Sequence, residues 1–306
     1  MALDAHPLAE SMARLGRISP YFQMPIRDPA EGGGPAEGGW IGADELFLTD
    51  DARLRDLVTA FGESYWGSTN RHVAGSAFII AYLTRLVWPV IGLYVQERRV
   101  PDVSLSNLVF HRTAGSFGNQ IDATALTHPY FALLPDDPSA THPNAVVVKD
   151  EATLYIRLKQ WLFDDNLAKV IEALNRAAQS SIKISQNAVA AACAQAFHRL
   201  YPVVEDPDAM VQKASVLFND QTSLVYRQVT TEVINHQDKC GFFARRRGCC
   251  LAWRTGRVSG RANGYCSNCI LVPEEKQDRL FRSVDDGGWR TLAPILPRVL
   301  PPYFPK

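Results

Sequence analysis

Apolar residues recur at helical spacing through most of the chain and alternate in strand fashion only in a short central stretch. Leu8, Met12 and Leu15 form one stripe near the N-terminus and predict a short amphipathic helix. Leu46, Leu54, Leu57 and Phe61 predict a helix over residues 44–61, and a nearly unbroken apolar run predicts a buried helix over 66–88. Residues 25–42, rich in Gly and Pro, read as a loop or linker. The apolar stretch 76–96 is about as long as a membrane span, but Arg85 and Thr84 fall at its centre and Pro89 should kink it. A buried helix ending near Trp88, with a second element after Pro89, is the expectation, and no transmembrane span.

The period changes near residue 100. Residues 103–112, 119–126 and 144–149 are strand-like, separated by turn-forming stretches that include 134–144. Such short links predict one small antiparallel sheet, because parallel crossovers need more chain. Helical spacing returns over 151–162 and over 164–180, where Asp164 or Asp165 can act as a cap. An Ala-rich helix starts at Ile184 and another spans 208–220; residues 225–237 fit helix or strand equally. The end of the chain, 294–305, is extended and punctuated by proline. The class expected is α+β: a mainly helical body packed on a small antiparallel β-sheet, with a C-terminal cysteine-rich cluster-binding loop region. Its expected parts are 1–150 (helices plus the sheet), 151–240 (helical body), 241–272 (the cysteine segment) and 273–306 (tail).

The cysteines add chemistry to this pattern. Cys249 and Cys250 are adjacent, fifteen residues follow, and Cys266 and Cys269 form a C-x-x-C pair. Four thiols within twenty-one residues look like a ligand set for Zn²⁺ or an iron–sulfur cluster. Structural zinc sites usually use two C-x₂₋₄-C knuckles. Adjacent side chains on extended backbone point apart and chelate one small ion poorly. A binuclear cluster relaxes that constraint, so the adjacent pair favours [2Fe–2S]. Arg245, Arg246, Arg247, Arg254, Arg257 and Arg261 surround the motif. Guanidinium groups near an anionic centre stabilise its reduced state. Trp253 and Tyr265 beside the motif can wall a docking face, with Arg245, Arg246 and Arg247 alongside for a substrate or an electron donor. Cys193, inside the Ala-rich helix, reads as a small buried hydrophobe. Cys240 lies nine residues before the pair and is either another buried thiol or a substitute ligand.

Charge and composition narrow the class. The 306 residues carry 32 basic and 32 acidic side chains, which argues against wholesale nucleic-acid binding. The first residues lack a basic region followed by an apolar run, so a cytoplasmic home is expected, where thiols stay reduced and prefer metal. The seven histidines, His111 and His198 among them, show no metal-type spacing, and no G-x-G-x-x-G or P-loop pattern occurs. An electron would therefore come from a separate protein.

Arg247-Gly248-Cys249-Cys250 followed by Cys266-Ser267-Asn268-Cys269 resembles the R-x-C-C and C-x-x-C motif of the FhuF-type ferric siderophore reductases. The helix from Ile184, with Ser185 and Asn187, is similar to one that family carries upstream, and Ser64-Tyr65-Trp66 and the Trp88 region are broadly similar too. The resemblance implies a cytoplasmic reductase, with transient visits to the inner membrane face, holding one [2Fe–2S] cluster on Cys249, Cys250, Cys266 and Cys269. It implies one-electron reduction of a ferric siderophore with release of Fe²⁺, the electron coming from a ferredoxin or flavin reductase. The spacer between the cysteine pairs is longer than is usual there, and thirty-seven residues follow Cys269. A Cys₄ zinc-stabilised interaction module and a siderophore-synthetase-related siderophore-binding protein are the alternatives.

Overall fold

Short polar side chains set where the helices begin. In the computed structural model, which describes residues 6–27, 40–115, 118–254, 265, 268–283 and 288–291, α1 (Pro7–Gly16) buries Leu8, Met12 and Leu15 as expected. Asp50 accepts from the Arg53 amide to start α2 (Asp51–Trp66), which ends at Gly67 in the left-handed conformation (φ 66°), a geometry that costs glycine nothing. Asn70 accepts from the amides of His72 and Val73 and starts α3 (Arg71–Gly92). Residues 44–61 are thus not one helix: a π-helical turn, Glu45–Thr49, precedes the Asp50 cap.

The central helix does not stop at Trp88. α3 passes through Pro89 to Gly92 and continues as a π-helical turn to Glu97. Pro89 lacks the N–H that would bond the carbonyl of Arg85. The hydroxyl of Thr124, from another element, donates to that carbonyl at 2.7 Å. Arg71–Glu97 is long and apolar enough to cross a membrane, but it is mostly buried inside the protein, packed between α2 and the later helices.

The segment read as one antiparallel sheet forms two sheets. β1 (Trp40–Gly42) pairs antiparallel with β3 (Leu108–Gly115), which pairs antiparallel with β4 (Gly118–Leu126). Both described ends of the Gly/Pro-rich stretch join this sheet, since Ile26 also bridges Leu126. β2 (Arg99–Pro101) pairs antiparallel with β5 (Phe131–Leu133), and β5 pairs in parallel with β6 (Ala145–Val147). The turns of 134–144 make that crossover without a helix.

Residues 151–178 run on as one helical stretch: α4 (Glu151–Leu158), a π-helical segment Lys159–Leu167, and α5 (Ala168–Ala178). Asp150 caps its start, while Asp165 pairs with Lys169 instead of capping a second helix. The widened turn keeps Leu162, Phe163, Asn166 and Leu167 all inward. Buried Asn166 there accepts from Tyr82 Oη (3.1 Å) and donates to the Val103 carbonyl (2.6 Å).

α6 (Ile182–Leu200) and α7 (Pro207–Asn219) follow, capped by Ser181 and Asp206. The ambiguous residues 225–237 contain a strand after a turn at 225–228: β7 (Val229–His236) forms a hairpin with β8 (Lys239–Arg246). The tail also folds in part. α8 (Glu274–Ser283) covers the hairpin, and β9 (Trp289–Thr291) pairs with β8. The proline-rich segment 294–305 lies outside the described residues. The architecture is α+β, with a helical body and small sheets.

Candidate metal centre

Strand alternation decides what each residue of β8 faces. Phe242 meets Phe197 of α6 (ring centroids 6.0 Å), whereas Phe243 stacks on Phe281 of α8 at 4.0 Å. Arg245, on the Phe243 side, is ion-paired with Glu232 and Asp278. It holds α8 against the hairpin and is occupied as a structural clamp. Beyond Arg246 the chain keeps one more ladder bond, from the Arg247 amide to the Gln228 carbonyl (3.0 Å), and then turns across α6 and α3.

Three contacts fix the cysteine pair. A Cβ on Gly248 would lie 2.2 Å from Cγ of Asn187, so only glycine lets the turn approach α6 this closely. Asn187 is itself buried and holds the Gln228 side chain and the Lys183 carbonyl through Nδ2. The Ser76 hydroxyl of α3 donates to the carbonyl of Cys250 at 2.6 Å. Leu251 adopts a left-handed conformation (φ 61°), and its amide donates to the sulfur of Cys249 at 3.3 Å. Cys249 is half-buried and Cys250 is buried.

Cys269 arrives from the other side. It is buried, and buried Gln277 of α8 donates through Nε2 to the carbonyls of Cys269 (3.1 Å) and Val272 (2.8 Å). Burial pushes the Cys269 thiol upward in pKa. An amide bond from Leu271 offsets this in part, the charges of Cys250 and Cys249 add to the rise, and Arg246 counters it. Cys266 and the spacer arginines Arg257 and Arg261 lie outside the described residues, and among the described residues no three His, Cys, Asp or Glu side chains converge as a metal site. None of the five described cysteines is in a disulfide.

The remaining candidates sort by position. Arg247 is exposed, as are Trp253 and Tyr265, and Arg254 lies over the Trp253 ring at 5.4 Å. Ile270 and Leu271, next in sequence to Cys269, are exposed as well. Cys193 is fully buried in α6, and burial raises its pKa strongly. Cys240, a buried acceptor for Tyr201 Oη at 3.5 Å, sits six strand residues before Arg246, about 20 Å along β8. Sequence reasoning missed Ser76, Gln277 and the role of Gly248. Only Gly248 carried a signal, as a glycine immediately before the cysteine pair.

An all-sulfur donor set suits Zn²⁺ or an iron–sulfur cluster and not hard oxygen-seeking ions. The N–H···S bond to Cys249 suits a bound thiolate. So does the half-buried guanidinium of Arg246, whose Nε and Nη2 are shielded from water with no hydrogen-bond acceptor among the described residues. On this chemistry the residues fit a sulfur-ligated anionic group. The family described as ferric iron reductase FhuF-like transporter matches residues 76–239, just over half of the chain, from Ser76 on α3 to the first residue of β8. No curated protein matches the chain.

Proposed function

As the chain belongs to the ferric iron reductase FhuF-like family, we propose that it is a ferric-siderophore reductase. The substrate is an Fe³⁺–siderophore complex. One electron converts its iron to Fe²⁺, which hard oxygen donors hold far less tightly, so the metal is released and the siderophore leaves unchanged. The electron comes from a separate ferredoxin or flavin reductase, which is oxidised by one electron, and the reaction takes place in the cytoplasm. Cys249, Cys250, Cys266 and Cys269 would hold a [2Fe–2S] cluster, which supplies reversible one-electron storage when bound.

The observation that carries this reading is the family match to residue 239, followed by the adjacent cysteine pair at 249 and 250. The chain's own residues support it in three ways. Ser76 and Gln277 hold the two cysteine segments through their carbonyls. The Leu251 amide donates to a ligand sulfur. Trp253, Tyr265 and Arg247 are each exposed, which leaves them free to meet a bulky chelate or an acidic donor protein.

The test is the visible spectrum of protein purified without oxygen, before and after dithionite. The expected result is a red-brown protein whose visible bands bleach on reduction and are lost in Cys249→Ser and Cys266→Ser. Reduced protein should then release Fe²⁺ from a ferric siderophore, trapped by a ferrous chelator. A colourless protein with one tightly bound zinc would overturn the reading.

A further inference from the structure

The fold gives the arginines around the cysteines unequal roles. Arg245 is neutralised by two carboxylates, Glu232 and Asp278, although its Nη1 has no partner. Arg247 and Arg254 are exposed, where water and salt weaken their fields. Arg246 combines shielding from water with a place at the end of β8, where the chain leads into the cysteine turn. Its Nε and Nη2 have no acceptor among the described residues, no carboxylate pairs with it there, and it stands two residues before Gly248, where the cysteine turn packs on Asn187 of α6. Alternation along β8 turns Arg246 to the same side as Phe242 and Ala244, toward α6. Two shielded N–H donors of a cation without acceptors are unfavourable unless an anion meets them.

We propose that Arg246 is the positioning residue that sets the charge balance of the cysteine centre, compensating its anionic group and raising its reduction potential. The inference rests on the [2Fe–2S] reading above and selects this side chain over its neighbours. A fixed cation shielded from solvent favours the form with the extra electron, and more so than an exposed one.

The experiment is a redox titration of the cluster-loaded protein, following the visible bands, for wild type, Arg246→Gln, Arg246→Lys and Arg247→Gln. Arg246→Gln should lower the equilibrium constant for reduction at least tenfold, which is about 59 mV for one electron. Arg246→Lys, which keeps the charge, should recover most of that loss, and Arg247→Gln should change the constant less than twofold. A coloured Arg246→Gln protein with the wild-type potential overturns the inference and leaves the cluster reading standing; a colourless wild type overturns both. If Arg246→Gln does not fold, the wild type still decides. A potential that hardly moves as salt is raised supports a shielded cation, and one that falls steeply assigns the effect to the exposed arginines and overturns the proposal.

Discussion

Replacing Thr124 by valine tests how α3 survives an internal proline. The substitution keeps the branched shape and removes one hydroxyl. That hydroxyl donates at 2.7 Å to the carbonyl of Arg85, the acceptor that Pro89 leaves without a helical partner. Thr124 is only 1% exposed while Arg85 is half-buried, so water reaches the carbonyl only in part. Orphaning a shielded carbonyl costs about 1–3 kcal/mol. With an unfolding entropy of roughly 0.6 kcal/mol per kelvin for a chain of this size, the midpoint should fall by about 2–5 °C. The assay is calorimetric or urea unfolding in a double-mutant cycle with Pro89→Ala. Alanine restores an N–H at position 89 for the Arg85 carbonyl, so Thr124→Val should cost less than half as much in that background, a coupling of about 1 kcal/mol. Equal costs in both backgrounds would refute the pairing, leaving only the generic price of a lost hydroxyl.

Two further outcomes follow from the geometry. Gly248→Ala forces a Cβ to within 2.2 Å of Asn187 and should destabilise by about 1–3 kcal/mol while displacing the cysteine pair; retention of wild-type urea stability together with wild-type metal content would show that the turn has room to spare. Asp137, buried against Arg99, has a pKa held below the ordinary carboxylate range: burial opposes this, but the bonds from Arg99 and Ser139 outweigh it. Its stabilisation is therefore complete above the unfolded value of about 3.9 and is lost as the pH falls through the lower folded value. Asp137→Asn should cost about 3–5 kcal/mol at pH 7, and the gap to wild type should narrow below about pH 4; a gap independent of pH in urea titrations would contradict the linkage.

Arg99 also shows how far one buried cation can organise a fold. Besides Asp137 it donates to the Pro7 carbonyl and to the hydroxyls of Ser11 and Ser139, and so ties α1 to β2 and to the crossover before β6. Arg246 lacks such an acidic partner among the described residues, and this contrast makes it the side chain to test at the cysteine centre.

Periodicity along the chain determined the α+β class, most helices and the inward stripe of Leu8, Met12 and Leu15, because local burial imposes a local spacing. The cysteine spacing likewise pointed to a ligand set, the reading that the proposed function takes up. What the sequence could not settle depended on partners distant in the chain. Pro89 reads locally as a stop, and only Thr124, thirty-five residues away, makes it tolerable. Residues 225–237 have no preferred period, and pairing with β8 makes Val229–His236 a strand. Trp40–Gly42 is a strand because β3 lies beside it. At the centre itself, six arginines look equivalent in sequence. Alternation on β8 and the docking of α8 separate Arg245, neutralised by Glu232 and Asp278, from Arg246, whose Nε and Nη2 keep no acceptor among the described residues. Charge is written in the sequence, but the tertiary structure decides which charges are compensated, because compensation depends on what burial brings within hydrogen-bond reach.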